Sequence, residues 1–183
     1  MFKVKLDTKA ISYMALFVAM QVVLEFVCKI IPGQPQGGSI TLSLIPIFLG
    51  AYLMGAGYGL IIGVASALIQ FVLGLAQYWG PWSMLLDYVV PLTIIAIAPC
   101  FKNIKLKNGE IYIGIVIGMI LKYGSHVLSG AWLFASYAPK NMNPWVYSLG
   151  YNLIYNFWTL VITYIAFSII YPRVKNAIAF KRA

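Results

Sequence analysis

Charge is what this 183-residue sequence has least of, with 4 acidic and 13 basic side chains making up only 9% of the chain. There is 1 histidine and there are 2 cysteines. A single imidazole cannot build a metal centre of the usual two or three histidines, and neither HExxH nor CxxC occurs, so no metal and no cofactor is implied. GxxxxGK[ST] is also absent, which excludes a P-loop that would cradle a nucleotide phosphate. No Ser or Cys stands in a recognisable nucleophile setting, and the chain does not read as an enzyme. Cys28 and Cys100 fall near opposite ends of the arrangement proposed below. That separation excludes a disulfide, whose Cα atoms must lie within about 7 Å, and leaves them as buried apolar fillers.

What is present is apolar surface. Hydrophobic residues make up 62% of the chain and mean hydropathy is +0.87, far from soluble averages. The apolar residues fall in long blocks separated by short polar breaks, the pattern of helices in lipid. Six blocks bounded by Pro, Gly, Asn or Lys read as spans, roughly 9–31, 40–54, 57–75, 83–101, 111–134 and 146–171. The expected fold is an all-α integral membrane protein, a bundle of six transmembrane helices forming one domain over residues 1–183. The second span is short, about 22 Å at ~1.5 Å per residue, against a hydrocarbon core of about 30 Å. The first block runs past the length of a signal-peptide core and lacks a small-x-small cleavage site, so it reads as a helix.

Basic residues are retained in short cytoplasmic segments. Lys3, Lys5 and Lys9 precede the first span, Lys102, Lys105 and Lys107 follow the fourth, and Arg173, Lys175, Lys181 and Arg182 follow the sixth. All fall on one side of a six-span arrangement, while the other side holds Lys140 and, at a helix end, Lys29. Both termini are therefore expected in the cytoplasm. The net charge of +9 is a topology signal and a match to anionic inner-leaflet lipid rather than a nucleic-acid footprint.

Against this background Asp87 stands out, the one charged residue of "SMLLDYVVPLTIIAIAP" (83–99). A carboxylate at mid-membrane costs roughly 2.5–3.5 kcal/mol of insertion, so it needs a compensating partner. Tyr88 adjoins it, and "AQYWGPW" just before it carries Gln77, Tyr78, Trp79 and Trp82. In the fifth span Lys122, His126, Ser129 and Gly130 recur at steps of three and four and share a helix face. The sixth opens with Trp145, Tyr147, Tyr151 and Asn152. All three groups lie in the outer half of the bundle.

Each piece also has a plainer reading. Trp79, Trp82 and Trp145 suit an interfacial belt, Tyr155 suits helix packing, Lys122 suits neutralisation of Asp87, and Glu25 with Lys29, at i and i+4, suits a surface or rim pair. Together, a carboxylate, an imidazole, an Asn and several rings at one depth favour a substrate site for a small flat cation, with up to ~2 kcal/mol per desolvated cation–π contact.

Four blocks carry a family resemblance: "PQGGSITLSLIPIFL" (35–49), "LLDY" (85–88), "LKY..H..SG" (121–130) and "SYAPK...PW.YSL.YN" (136–152). Over essentially the whole chain the sequence resembles the thiamine-specific S subunits of energy-coupling factor transporters, the ThiT (YuaJ) family. The resemblance implies six helices enclosing thiamine in an outward-facing pocket beneath the loop joining helices 1 and 2, in the bacterial plasma membrane. It implies pocket roles for Asp87, Tyr88, His126, Tyr147 and Asn152. Some members carry Glu at the place of Asp87 and a pocket Trp at that of Gly37. Phe134 matches a stacking Trp, with Trp132 a neighbour able to substitute; Trp145, Tyr151 and Gln77 complete the expected set. The lid "GQPQGG" is expected to close by backbone hinge motion.

The resemblance also implies partners, a membrane coupling subunit and two cytoplasmic ATPase subunits, since this chain has no nucleotide site. Docking on the coupling subunit is expected through Ala15 and Ala19, whose spacing lets helices approach closely. Gly114 and Gly118 have the same spacing and read as internal packing. Two other readings stay open, an S subunit for another vitamin or for a thiamine precursor such as its pyrimidine moiety, and an intramembrane enzyme using Asp87 and His126. Topology is directly testable: reporters fused at the C-terminus and in the 102–110 loop should both be cytoplasmic, and an external C-terminus would break the six-span arrangement.

Overall fold

A computed structural model describes residues 2–30, 33–35, 37–107 and 109–176. Lys181 and Arg182, counted above toward topology, and Gln36 of the expected lid lie outside the described residues. Among the described residues, helices occupy all six expected segments: α1 (Thr8–Cys28), α2 (Leu44–Met54), α3 (Ala56–Val72), α4 (Pro81–Cys100), α5 (Ile113–Trp132) and α6 (Pro144–Val174). Four of them, α1, α4, α5 and α6, are long and apolar enough to cross a membrane; α2 and α3 are shorter apolar helices.

The helix ends follow local chemistry. Asp7 caps α1, its Oδ1 accepting from the Ala10 N–H at 2.8 Å, and Asn143 caps α6, its Oδ1 accepting from the Trp145 N–H at 2.8 Å. Pro144 takes the first position of α6, where a missing N–H costs nothing. The 31 residues of α6 extend about 46 Å at ~1.5 Å per residue, beyond a hydrocarbon core of about 30 Å.

The short second segment is explained by its place. Every residue of α2 is buried, so it is enclosed by its neighbours and turns into α3 at Gly55, whose φ of 121° suits glycine. Gly114 has an equally specific role, because a Cβ there would collide with the Ala98 carbonyl. Gly118 likewise faces Ile95. This glycine pair brings α5 against α4, as internal packing.

The chain reverses from helix to helix, producing two chemically distinct ends. At one end the Tyr52, Tyr112, Phe167 and Tyr171 rings pack with centroids 4.9–5.9 Å apart, mostly edge to face. The Lys5 N–H donates to Tyr58 Oη at 2.8 Å, drawing the N-terminal segment to the same end.

The sequence did not foretell the antiparallel hairpin β1 (Ile104–Leu106) and β2 (Gly109–Ile111), which pairs Ile104 with Ile111 and Lys105 with Glu110. Strands of three residues are too short to show alternation. Lys175 Nζ lies 3.8 Å from Glu110 Oε1, bringing the hairpin to the end of α6. Lys102, Lys105, Lys107, Arg173 and Lys175 thus cluster at the aromatic end, away from the polar residues described next.

Candidate functional site

At the opposite end, the C-terminal turns of α1, α3 and α5 and the N-terminal turns of α2, α4 and α6 surround a cavity of about 620 Å³. Its shape starts with Pro91, which has no N–H to offer the carbonyls of Asp87 or Leu86 four and five residues earlier. The helix widens there into a π-turn over Met84–Val89, a feature often found at functional sites. The Val90 N–H reaches back to the Leu85 carbonyl, and the Ser125 hydroxyl on α5 donates to the Leu86 carbonyl at 2.6 Å. The turn presents Asp87 and Tyr88 to the cavity.

Asp87 is compensated by neutral donors and not by Lys122. Ser83 Oγ and Ser129 Oγ both donate to its Oδ2, at 3.0 and 2.8 Å, and His126 Nδ1 lies 3.5 Å from its Oδ1. Lys122 instead donates from Nζ to Asn156 Oδ1 at 2.7 Å and sits 5.7 Å from the centroid of the Tyr155 ring. The plainer reading of Lys122 as the neutralising partner of Asp87 therefore finds no ion pair between them among the described residues. Lys122 lies about one turn before His126, and α6 supplies an amide at that level.

Polar contacts along α6 fix the facing wall. Ser148 Oγ donates to the Val127 carbonyl at 2.8 Å, Asn152 Nδ2 to the Ser148 carbonyl at 2.9 Å, and Tyr155 Oη to Asn152 Oδ1 at 2.6 Å. Tyr155 lines the cavity, with its ring 6.0 Å from that of His126, and so does more than fill a helix interface. Tyr88 Oη accepts from the Gln77 N–H at 2.9 Å, tying the 73–80 connection to α4.

The segment between α1 and α2 lies over this wall. Tyr151 Oη donates to the Gly37 carbonyl at 2.8 Å, and the Gln34 N–H donates to the Gly38 carbonyl at 2.8 Å. Gly37 and Gly38 have φ of 95° and 89°, a region that favours glycine. A Cβ on Gly38 would fall 2.6 Å from the Tyr155 ring, whereas one on Gly37 would meet nothing within 4 Å.

Asp87, Tyr88, His126, Tyr147, Asn152, Phe134, Tyr151 and Gln77 all line the cavity. Trp132 and Trp145 do not. Trp132 is 56% exposed and packs on Trp82 at 5.5 Å; at about 100° per residue it points some 120° away from His126. Trp145 is 51% exposed, on the first turn of α6 beyond the lining residues. Phe134 stacks on Tyr137, with centroids 5.8 Å apart.

Glu25, read above as the partner of Lys29, also lines the cavity. Its Oε2 accepts from Ser43 Oγ at 2.7 Å and Thr41 Oγ1 at 3.3 Å, while Lys29 donates to the Leu75 carbonyl. The i, i+4 spacing misled because Lys29 is the C-cap residue of α1, free to turn toward the adjacent connection. The usable signal was scarcity, since Glu25 is one of 4 acidic residues in the chain.

The family model described as "Thiamine transporter protein" matches residues 11–179. The chain belongs to the thiamine transporter family. Within that family it is 36% identical over 151 residues to the thiamine transporter ThiT of Bacillus subtilis, covering 77% of this chain and 79% of that protein. It is 31% identical over 123 residues to thiamine transporter ThiT of Lacticaseibacillus paracasei, covering 60% of this chain and 61% of that one. Its fold is similar to that of ThiT from Listeria monocytogenes, with TM-score 0.75 at 20% identity over 92% of this chain and 96% of the other. Members of this family are multi-pass membrane transporters rather than enzymes, which removes the reading of Asp87 and His126 as an intramembrane catalytic pair.

The contrast between the two loop glycines can be measured. Gly37→Ala should cost only the local strain of its backbone, roughly 1–2 kcal/mol. Gly38→Ala should cost a further ~1–3 kcal/mol of overpacking against Tyr155. Thermal unfolding in detergent should therefore place the Gly38→Ala midpoint clearly below that of Gly37→Ala, and equal midpoints would show that the loop does not rest on Tyr155.

Proposed function

We propose that the chain, acting as one unit, is the thiamine-binding S component of an energy-coupling factor importer and holds thiamine in the cavity at the Asp87 end. The observation that carries this reading is the co-location of Asp87, His126 and the Tyr88, Phe134, Tyr147, Tyr151 and Tyr155 rings around one cavity of about 620 Å³, a size usual for small-ligand sites. Thiamine joins a thiazolium with a fixed positive charge to an aminopyrimidine that donates and accepts hydrogen bonds. Ring faces and carboxylates suit both halves. The same arrangement weighs toward whole thiamine over its pyrimidine moiety alone, which carries no fixed charge.

Binding residues are proposed to be Asp87, Tyr88, His126, Asn152, Tyr147, Tyr151, Phe134 and Gln77. Trp132 and Trp145 are left to the membrane interface. The basic clusters at the aromatic end support an orientation with both termini in the cytoplasm and the cavity facing outward, across six spans of the bacterial plasma membrane. Energy must come from elsewhere, supporting a coupling subunit in the membrane and two cytoplasmic ATPases as partners. Ala15 and Ala19 support α1 as the docking surface, because both are exposed beside Ile11, Leu16 and Met20 and neither lines the cavity.

Two measurements test this. Asp87→Asn keeps the shape but removes the charge, and truncating one partner of a buried charged contact costs roughly 2–5 kcal/mol. At about 1.4 kcal/mol per tenfold, calorimetric titration should show the thiamine Kd rising by about one and a half to three and a half orders of magnitude. A well-folded Asp87→Asn protein binding within about threefold of the parent would show that Asp87 is not the ligand's partner. For docking, Ala15→Trp and Ala19→Trp should lower thiamine uptake by cells while the purified variants bind thiamine as the parent does. Undiminished uptake in both would remove α1 from the docking surface.

A further inference from the structure

We propose that Glu25 is a second ligand-binding carboxylate of this cavity and the one that recognises the fixed positive charge of the ligand. This inference rests on the reading that the cavity takes thiamine. The two carboxylates on its walls are differently committed. Asp87 has both oxygens engaged, with two serine hydroxyls on Oδ2 and His126 beside Oδ1. Glu25 has two hydroxyls on Oε2, and among the described residues no hydrogen bond reaches its Oε1.

Nor does a basic side chain sit within ion-pair distance of Glu25 among the described residues. Lys29 is turned to the Leu75 carbonyl, and the Lys122 ammonium is held by Asn156. Lys29 and Lys122 line the same cavity as Glu25 without closing an ion pair on it, so its open oxygen is left for a cation that enters the cavity. Thr41 and Ser43, which orient it, sit sixteen and eighteen residues further on, where the segment over the cavity enters α2. Thr41 Oγ1 also lies 2.9 Å from Ser43 Oγ, its single proton shared between that oxygen and Glu25 Oε2, and Ser43 Oγ donates to the carboxylate at 2.7 Å, so the carboxylate is oriented before any ligand arrives. Asp87, with its serines and His126, is left to the hydrogen-bonding aminopyrimidine. Glu25 then sets specificity, favouring whole thiamine over its uncharged half.

The test separates charge recognition from a purely structural role. Parent, Glu25→Gln and Glu25→Asp proteins are titrated calorimetrically with thiamine, and with the uncharged aminopyrimidine half by competition. Glu25→Gln should weaken thiamine by about 10- to 100-fold, leave the aminopyrimidine half within about threefold, and Glu25→Asp should recover part of the loss. Unchanged thiamine binding in a folded Glu25→Gln protein overturns the assignment. So does an equal loss for both probes, the result expected if Glu25 only shapes the loop or contacts the pyrimidine. If Glu25→Gln does not fold, Glu25→Asp decides, since a carboxylate shorter by one methylene should weaken thiamine and spare the uncharged half. Failure of the parent itself to bind thiamine would instead remove the functional reading, and this assignment with it, before any substitution is compared.

Discussion

The constraint on which the rest of this structure depends is the burial of carboxylates in a chain made for lipid. A charge withdrawn from water is tolerated only when its lone pairs are satisfied, and the protein satisfies Asp87 with hydroxyls and an imidazole rather than with a cation. Hydroxyl donors compensate the charge without cancelling it. Asp87 therefore stays available to a ligand, in a cavity whose lining also holds Glu25, Lys29 and Lys122. Lys122, which could have paired with Asp87, is occupied by Asn156 and the face of Tyr155.

Meeting that constraint shapes the helices. Pro91 deprives α4 of an N–H where the regular ladder would need one, the helix widens over Met84–Val89, and Ser125 satisfies the exposed Leu86 carbonyl. The widened turn aims Asp87 and Tyr88 inward. On α6 a ladder of Ser148, Asn152 and Asn156 contacts fixes the facing wall, and Tyr155 presents a ring on which the Gly38 segment rests. The loop is thus tied to the cavity wall through Gly37 and Tyr151, and through Thr41 and Ser43 to Glu25.

The two ends of the bundle divide the work. One end is filled by interlocking aromatic rings around Tyr52, Tyr112, Phe167 and Tyr171, with basic residues beyond it; the other is left open and polar. A packed end supplies rigidity, and an open one supplies space for a ligand. The close approach of α5 to α4 at Gly114 belongs to this division, since it draws the helices together toward the packed end.

Much of this was legible in the sequence, where scarcity made each polar residue informative. Long apolar blocks identify lipid as the solvent, basic clusters distinguish one end from the other, and Asp87 with the His126 face marks where the cavity lies. The partners were not legible. Sequence spacing joined Glu25 to Lys29 and named no donor for Asp87 beyond Lys122 as a plainer reading, but Glu25 is held by Thr41 and Ser43 and Asp87 by Ser129, forty-two residues on. Trp132 and Trp145 looked like site residues by proximity in the chain, yet helix rotation and position turn them out of the cavity. Composition and order alone settle the solvent and the placement of scarce charges, because transfer free energy acts residue by residue. Which donor meets which acceptor was decided by tertiary structure, because hydrogen bonds act over about 3 Å and only the packed helices bring those atoms that close.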